Sequence, residues 1–213
     1  MSAPGTHYEL FAGLRDSGVA YLATGATALV LHGVPRLTPK VNLAVDPAPA
    51  NLNRVERLFA AWGYGEAAAA APARAGAAVR NFRNASAALG DLDIAQPSPE
   101  EFARLQAGAC LVTLVDVGIP VVGAMDLQAL KEGSGDKTDR EDAEGLKVLA
   151  AIRAGETGSD ADTRREQIRK FSRWSVAARL DWLLAAARLA KGLSPEAKPM
   201  TRGLVRRRGW YGP

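Results

Sequence analysis

The chain has 213 residues, of which 47% are hydrophobic, 6% aromatic and 23% charged, and its formal net charge is +4, which suits one ordinary domain with an extension. A single cysteine excludes a disulfide framework and a cysteine metal site, and two histidines are too few for a histidine-based metal centre. No apolar stretch approaches the roughly 20 residues of a membrane span and no signal peptide is recognisable, so we expect a cytoplasmic protein with no membrane partner.

The first predicted helix follows Thr6. Thr6 and Glu9 have the spacing of a capping box, in which each side chain accepts a hydrogen bond from the backbone of the other residue. Leu10 and Leu14 then form one apolar stripe, so we expect this helix to pack on a sheet. His7 is predicted to be a surface residue of the first turn.

Residues 19–46 organise the rest of the chain. Residues 19–23 form a short apolar run typical of a buried strand, and Gly25 then opens a short helix that ends at Gly33. Val41, Leu43 and Val45 alternate with Lys40 and Asn42, a period of two residues that predicts a second strand.

This stretch resembles the signature of the nucleotidyltransferase superfamily, in particular small bacterial proteins related to abortive-infection and toxin–antitoxin nucleotidyltransferases. That signature is a glycine turn, a short helix ending in a hydrophobic residue and glycine, and then R-x-T-x-D-x-D. The signature's two carboxylate positions are taken here by Lys40 and Asn42. The matching residues, which the resemblance implies lie at a nucleotide, are Thr24, Gly25, Arg36 and Thr38.

The replacement of the signature's two carboxylates by Lys40 and Asn42 bears on catalysis. In such enzymes, carboxylates at positions i and i+2 of a strand hold two divalent ions, which clamp the triphosphate and activate the attacking oxygen. The ammonium group of Lys40 repels a cation, and the neutral carbonyl of Asn42 is a weaker ligand for a hard ion. The sequence therefore argues against the metal mechanism, and magnesium is expected only if the chain is active. A lysine can still attract a phosphate directly, so Lys40 and Asn42 are kept as nucleotide-binding candidates.

A third carboxylate of the superfamily has a counterpart. Residues 79–83 and 89–95 are predicted strands, and Asp93 matches the carboxylate of a pattern like v-D-l-l-x-x-P. Because Asp93 alone cannot hold two metals, we hypothesise that it pairs with Lys40 in place of the metal site. The low-complexity segment 66–78 before these strands is predicted to be a loop or a helix broken at Pro72.

Two residues receive structural interpretations. Asn51 is predicted to cap a helix that runs through Trp62. Residues 111–115 and 119–122 flank a turn and predict a small hairpin, and Cys110 beside it is interpreted as a buried small hydrophobe.

A lysine-ended helix follows. Lys131, with Lys137, Asp139 and Asp142 beyond it, loosely resembles a superfamily segment whose lysines touch nucleotide phosphates. The same segment is equally consistent with a charged and solvated helix–turn–helix, and both interpretations stay open.

The C-terminal part is basic. From Arg164 onward there are 13 Lys or Arg and 3 Asp or Glu, whereas the first 163 residues hold 14 and 20. Residues 155–162 are the predicted linker, and residues 163–171 and 175–190 are predicted helices, with Arg179 on an exposed side. The basic region is interpreted either as a binder of RNA or an acidic partner protein, or as a solvated helix face with a disordered end.

The expected fold is α/β (α+β), a nucleotidyltransferase-like mixed sheet flanked by helices over residues 5–153, followed by a basic helical extension and tail over 163–213. The first function hypothesis is a protein that has lost metal-dependent catalysis and binds a nucleotide, an RNA or a partner. The alternatives are an active, toxin-like transferase that moves a nucleoside monophosphate to RNA or protein, and a structural oligomerisation subunit. Whether the chain is an enzyme is left open by Lys40 and Asn42.

Overall fold

The computed structural model of the chain describes residues 2–67, 71–74, 77–84, 88–156 and 163–192. The predicted linker at 155–162 is described only at its first two residues, and the tail beyond residue 192 lies outside the described residues. The helices are α1 (His7–Asp16), α2 (Gly25–His32), α3 (Pro49–Ala61), α4 (Pro99–Ala107), α5 (Ala124–Glu132), α6 (Lys137–Arg153), α7 (Thr163–Ser172) and α8 (Val176–Gly192). The strands are β1 (Tyr21–Ala23), β2 (Lys40–Val45), β3 (Gly65–Glu66), β4 (Ala71–Arg74), β5 (Ala77–Arg83), β6 (Asp91–Gln96), β7 (Cys110–Leu114) and β8 (Val117–Val121).

The strands form one mixed sheet in the order β3-β5-β6-β2-β1-β8-β7, with β4 also pairing with β5. β2 runs parallel to β6 and antiparallel to β1, while β1 runs parallel to β8. The remaining pairs are antiparallel. This mixed sheet with flanking helices confirms the predicted fold class.

The capping box at the start of α1 is present, since Thr6 and Glu9 exchange the two expected hydrogen bonds. Leu10 and Leu14 are fully buried on the predicted face. The prediction for His7 is wrong, because its side chain is buried. Pro4 is also buried, so the residues ahead of the helix lie close to the protein rather than in solvent.

The helix α3 begins two residues before Asn51, at Pro49, so the prediction that Asn51 caps it is wrong. Proline is favoured at a first helical turn because the missing N–H has no helical partner there. The Asn51 side chain instead accepts from the Ala20 amide at 2.8 Å and donates to the Ala20 carbonyl at 2.9 Å. It therefore joins α3 to the chain entering β1.

The alanine-rich segment was predicted as a loop or a broken helix, but its described parts form strands. Gly65–Glu66 and Ala71–Arg74 both pair with β5, which begins at Ala77. Alanine favours helices in isolation, and pairing with a neighbouring strand overrides that preference here. Residues 68–70 and 75–76 lie outside the described residues.

The predicted hairpin is confirmed as β7 and β8, in unbroken antiparallel register. Cys110, interpreted as buried, is exposed. The reason is topological, because β7 is the last strand of the sheet order and therefore an edge strand.

The C-terminal helices pack on the sheet-bearing part of the chain, where α8 contacts α2, α1 and β7. Arg179, predicted on an exposed side, is buried. Its guanidinium donates to the carbonyl oxygens of Val30 and Leu31 at 3.1 and 2.7 Å, so α8 meets the C-terminal end of α2. Across the part of the chain that the structure describes, no helix is long and apolar enough to cross a membrane.

Candidate functional site

Three neighbouring strands bring the key polar residues into one row. In the parallel pair of β2 and β6, Asn42 lies opposite Asp93, and Lys40 lies opposite Asp91. In the antiparallel pair of β5 and β6, Asn81 lies opposite Asp93. Residues directly opposite each other point to the same side of a sheet, so all five belong to one face.

The Lys40–Asp93 ion pair hypothesised from the sequence is confirmed. The Lys40 Nζ lies 3.2 and 3.1 Å from the two carboxylate oxygens of Asp93. The Lys40 side chain is 37% exposed and that of Asp93 is 19% exposed, so the pair is open to solvent on one side. The ion pair is diagonal, because Lys40 contacts Asp93, which lies opposite Asn42, and not Asp91, which lies opposite Lys40 itself.

Asp93 is held from its other side by residues that the sequence reasoning missed. The Asn81 side-chain amide donates to the Oδ1 of Asp93, and Arg83 Nε donates to the Oδ1 of Asn81 at 2.9 Å. Asn81 is buried. The alternation of β5 was the available signal, because it places Asn81 and Arg83 on one face of the strand next to β6.

This arrangement disfavours a two-metal centre. The surviving carboxylate already faces an ammonium group, and the residue beside it in the row is a neutral amide. Among the described residues, no group of three or more histidine, cysteine, aspartate or glutamate side chains could hold a metal ion. The donor set at this face therefore does not fit a pair of divalent ions.

The glycine turn lies against Asn42. The Thr24 amide donates to the Asn42 carbonyl at 3.0 Å, and the Asn42 amide donates to Thr27 Oγ1 at 2.9 Å. Gly25 has a φ of +54°, and a Cβ there would lie 3.0 Å from the Cβ of Asn42. Only glycine allows this close approach without strain.

The close approach of Gly25 to Asn42 also places the start of α2 next to the Asn42 side chain. Asn42 Oδ1 is buried and has no hydrogen-bond partner within the described part of the chain. The N-cap residue Thr24 makes no side-chain hydrogen bond to the helix. The first turn of α2 thus keeps amide donors uncapped by a side chain, and the positive end of a helix favours an anion.

Thr38 shapes the beginning of β2. Its hydroxyl donates to the Lys40 carbonyl at 3.1 Å and accepts from the Lys40 amide at 3.2 Å. The hydroxyl is therefore engaged by the backbone of Lys40, and its contact there orients the lysine.

Arg36 and Lys131, both nucleotide-contact candidates, lie in a second cluster. Lys131 Nζ contacts Asp139 at 2.5 Å and Asp142 at 2.9 Å, and Arg36 Nε contacts Asp142 at 3.0 Å. Lys131, Asp139 and Asp142 are buried. Two cations and two carboxylates balance each other, so both candidate cations are engaged by protein carboxylates.

His32 lies at the end of α2 and is buried. Its Nε2 donates to the Val122 carbonyl at 2.8 Å. Burial lowers the pKa of the His32 imidazole, which keeps the ring neutral.

No protein-family model matches the sequence, and no curated protein sequence matches it. Among solved structures, the lincomycin-bound lincosamide antibiotic adenylyltransferase LnuA is similar to the chain, with 18% identity and a TM-score of 0.49 over 67% of this chain and 94% of that one. An antigenic nucleotidyltransferase-like protein from Paracoccidioides brasiliensis is similar with 13% identity and a TM-score of 0.46, over 91% of this chain and 88% of that one.

These likenesses concern the backbone and say nothing about activity. The chain's own topology, with a glycine turn after β1 and the Asp93 strand parallel to β2, agrees with the α/β fold that the resemblance to nucleotidyltransferases implies.

Proposed function

We propose that this protein binds a nucleotide or another phosphate-bearing ligand at the face formed by Lys40, Asn42 and Asp93, without metal-dependent nucleotidyl transfer. The observation that carries the proposal is the Lys40–Asp93 ion pair, with its shortest N–O distance of 3.1 Å. It holds the Lys40 ammonium at the place where the resemblance to the superfamily implies a divalent ion.

Two features support phosphate binding there. The Lys40 side chain is more than a third exposed, so its ammonium can contact a ligand while remaining beside Asp93. The uncapped first turn of α2 reaches the same face through the contact between Gly25 and Asn42. An ammonium group and a helix N-terminus both attract phosphate oxygens.

The first experiment is a transfer assay. The purified full-length chain is incubated with each labelled nucleoside triphosphate, magnesium or manganese, and RNA and protein from a bacterial lysate. The comparison protein is the Lys40→Asp/Asn42→Asp double variant, which adds two carboxylates to the face that already holds Asp91 and Asp93. We expect no label transfer by the natural chain. Label transfer by the natural chain would contradict the proposal that catalysis is lost.

The double variant also tests whether the pocket itself is intact. We expect manganese to raise the melting temperature of the Lys40→Asp/Asn42→Asp protein and to leave that of the natural chain unchanged. Unchanged melting of both proteins would show that the three positions do not converge on one ion.

Binding is measured separately by calorimetry with nucleoside triphosphates in the presence of EDTA. We expect heat of binding for the natural chain and at least a tenfold loss of affinity for Lys40→Met. Lys147→Met is the matched control, because Lys147 is an exposed lysine engaged by Glu144 and Glu132 outside this face. Equal losses in both variants, or no binding by the natural chain, would contradict the proposal.

RNA is a second form of the phosphate-bearing ligand. The exposed basic residues of α7, α8 and the turn between them include Lys170, Arg173 and Arg188. Titration of a labelled single-stranded RNA distinguishes the two cases, because Lys40→Met abolishes binding only if the RNA occupies the same face. Loss of RNA affinity on raising the salt concentration accompanies any binding through the basic helices.

A further inference from the structure

The two edges of the sheet are built differently. At one edge β3 has two residues, Gly65–Glu66, the second of them acidic, and β4 pairs with β5 in an irregular register. Short strands, charges and irregular register are devices that keep a sheet edge from pairing with another chain. That edge is therefore protected.

The opposite edge carries none of these devices. β7 has five residues, Cys110–Leu114, with the sequence CLVTL, which contains no charged residue and no proline. Its register with β8 is unbroken from Cys110 to Leu114. Among the described residues β7 pairs with β8 alone. Although α8 also contacts β7, the side chains of Cys110, Leu111 and Thr113 remain exposed, so we expect the outer side of β7 to accept a further strand.

Exposed apolar side chains are concentrated at this hairpin. Leu111 on β7 is 72% exposed, and Val115 in the turn is 76% exposed. Met125, four residues beyond the end of β8, is 87% exposed. Leu111 lies opposite Pro120, so the apolar surface continues from β7 onto β8.

We propose that the β7 edge pairs antiparallel with the β7 edge of a second copy of this chain, forming a two-fold dimer with a sheet that continues across the interface. An antiparallel pair of identical strands has a two-fold axis, and residues at equal distances on the two sides of that axis face each other. A charged strand would repel its copy in that arrangement, and this strand is uncharged along its whole length. Burial of Leu111 and Val115 adds apolar contact area beside the backbone hydrogen bonds.

A second copy fits this edge better than a foreign peptide does. The two exposed apolar residues Leu111 and Val115 lie at equal distances on the two sides of Thr113, so a two-fold axis at Thr113 places Leu111 of one copy beside Val115 of the other. The pairing also closes the assembly, because the other edge of the sheet is protected. A closed dimer is therefore expected rather than a fibre.

The test begins with sedimentation velocity of the full chain over a concentration series. We expect a dimer for the natural protein and a monomer for Thr113→Lys, which places a charge on the edge. Thr138→Lys is the matched control, since Thr138 is an exposed threonine on α6. Thermal melting of all three proteins checks that each one is folded.

Cysteine crosslinking then locates the axis. Cys110→Ser removes the native thiol, and single cysteines are introduced at Leu111, Val112 and Thr113. A disulfide needs Cα atoms about 4.4–6.8 Å apart, so only positions near the axis crosslink under oxidation. We expect crosslinked dimer to peak at one of the three positions and to be absent for a cysteine at Thr138.

The proposal is overturned by a natural chain that is monomeric throughout the series. It is equally overturned by a dimer that survives Thr113→Lys and yields no crosslink from β7, because that dimer uses another surface. These readouts do not depend on nucleotide binding, so the dimer and the proposed function are tested separately.

Discussion

Lys40 shows how one side chain changes the chemistry of a strand. An acidic residue at this position would add a second carboxylate beside Asp93, and a divalent ion would be needed to offset their repulsion. Lysine offsets the charge of Asp93 within the chain instead, at 3.1 Å. Asn42, between Gly25 and Asp93, adds a dipole without charge. The negative charge of Asp93 is thus offset by Lys40 without a bound cation.

His7 predicts a pH dependence of stability. Burial lowers its pKa from 6.5 to about 4, so the folded protein resists a proton that the unfolded chain accepts. Between these two values the unfolded state binds more protons, and the free energy of unfolding falls as the pH falls from 6.5 towards 4. The full effect is about 3 kcal/mol by the usual linkage.

Urea denaturation at pH 7 and pH 4.5 measures this loss, and His7→Gln should make it smaller. His32, also buried with a lowered pKa, contributes in the same direction and remains in both proteins. An identical pH dependence in His7→Gln and the natural chain would refute a role for His7.

Val115 predicts a stabilising substitution. It has a φ of +58° in the hairpin turn, a conformation that strains a β-branched residue. Asparagine tolerates this conformation, so Val115→Asn should raise the free energy of unfolding by about 1 kcal/mol. Val115→Thr is the control, because it stays β-branched and should give no gain. Urea denaturation compares the three proteins, and a loss of stability in Val115→Asn would contradict the assignment of strain.

At the scale of elements, ionic contacts join helices that are adjacent in the chain. Lys131 near the end of α5 contacts Asp139 and Asp142 in the first half of α6, and Asp142 also contacts Arg36 ahead of β2. The cluster therefore fixes α5 and α6 against the segment that leads into the candidate site.

Removing Lys131 should be costly because it leaves a buried carboxylate without its ammonium. We expect Lys131→Met to lower the free energy of unfolding by about 3 kcal/mol. Asp142 keeps Arg36 and Asp139 loses its contact with the ammonium, so Lys131→Met/Asp139→Asn should recover part of the cost. Chemical denaturation of the natural chain and the two variants measures this recovery. A double variant no more stable than the single one would show that the cost is lost packing.

At the scale of the whole molecule, α8 is part of the folded body. Arg179 from α8 donates to two carbonyls at the end of α2, and Arg153 from α6 donates to the neighbouring His32 carbonyl at 2.8 Å. Positive charge at a helix C-terminus stabilises the helix dipole. The N-terminal end of α2 meets the candidate site through Gly25. The C-terminal helices therefore stabilise the helix that borders the site.

Arg179→Met should lower the free energy of unfolding by about 2–3 kcal/mol, because it removes the guanidinium donor of the Leu31 carbonyl and one of the two donors of the Val30 carbonyl. Hydrogen exchange should then speed up in α8 and in the last turn of α2 together. Arg188→Met is the control, since Arg188 is exposed and contacts only the backbone of Gly5 at 3.3 Å among the hydrogen bonds described for it. Faster exchange confined to α8 would show that the two helices are not coupled.

Local patterns in the sequence determined the capping box at Thr6, the stop at Gly33 and the β7–β8 hairpin. Each depends on residues a few positions apart or on strand alternation, which act before distant parts of the chain meet. The pairing of Lys40 with Asp93, 53 residues apart, was expected only through the resemblance to the nucleotidyltransferase superfamily. The tertiary structure alone decided that Asn81 holds Asp93, that Asn51 bonds to Ala20, and that Arg179 is buried while Cys110 is exposed. Those outcomes depend on which strands are neighbours and which strand is at the edge. Periodicity within one segment carries no information about its neighbours in space.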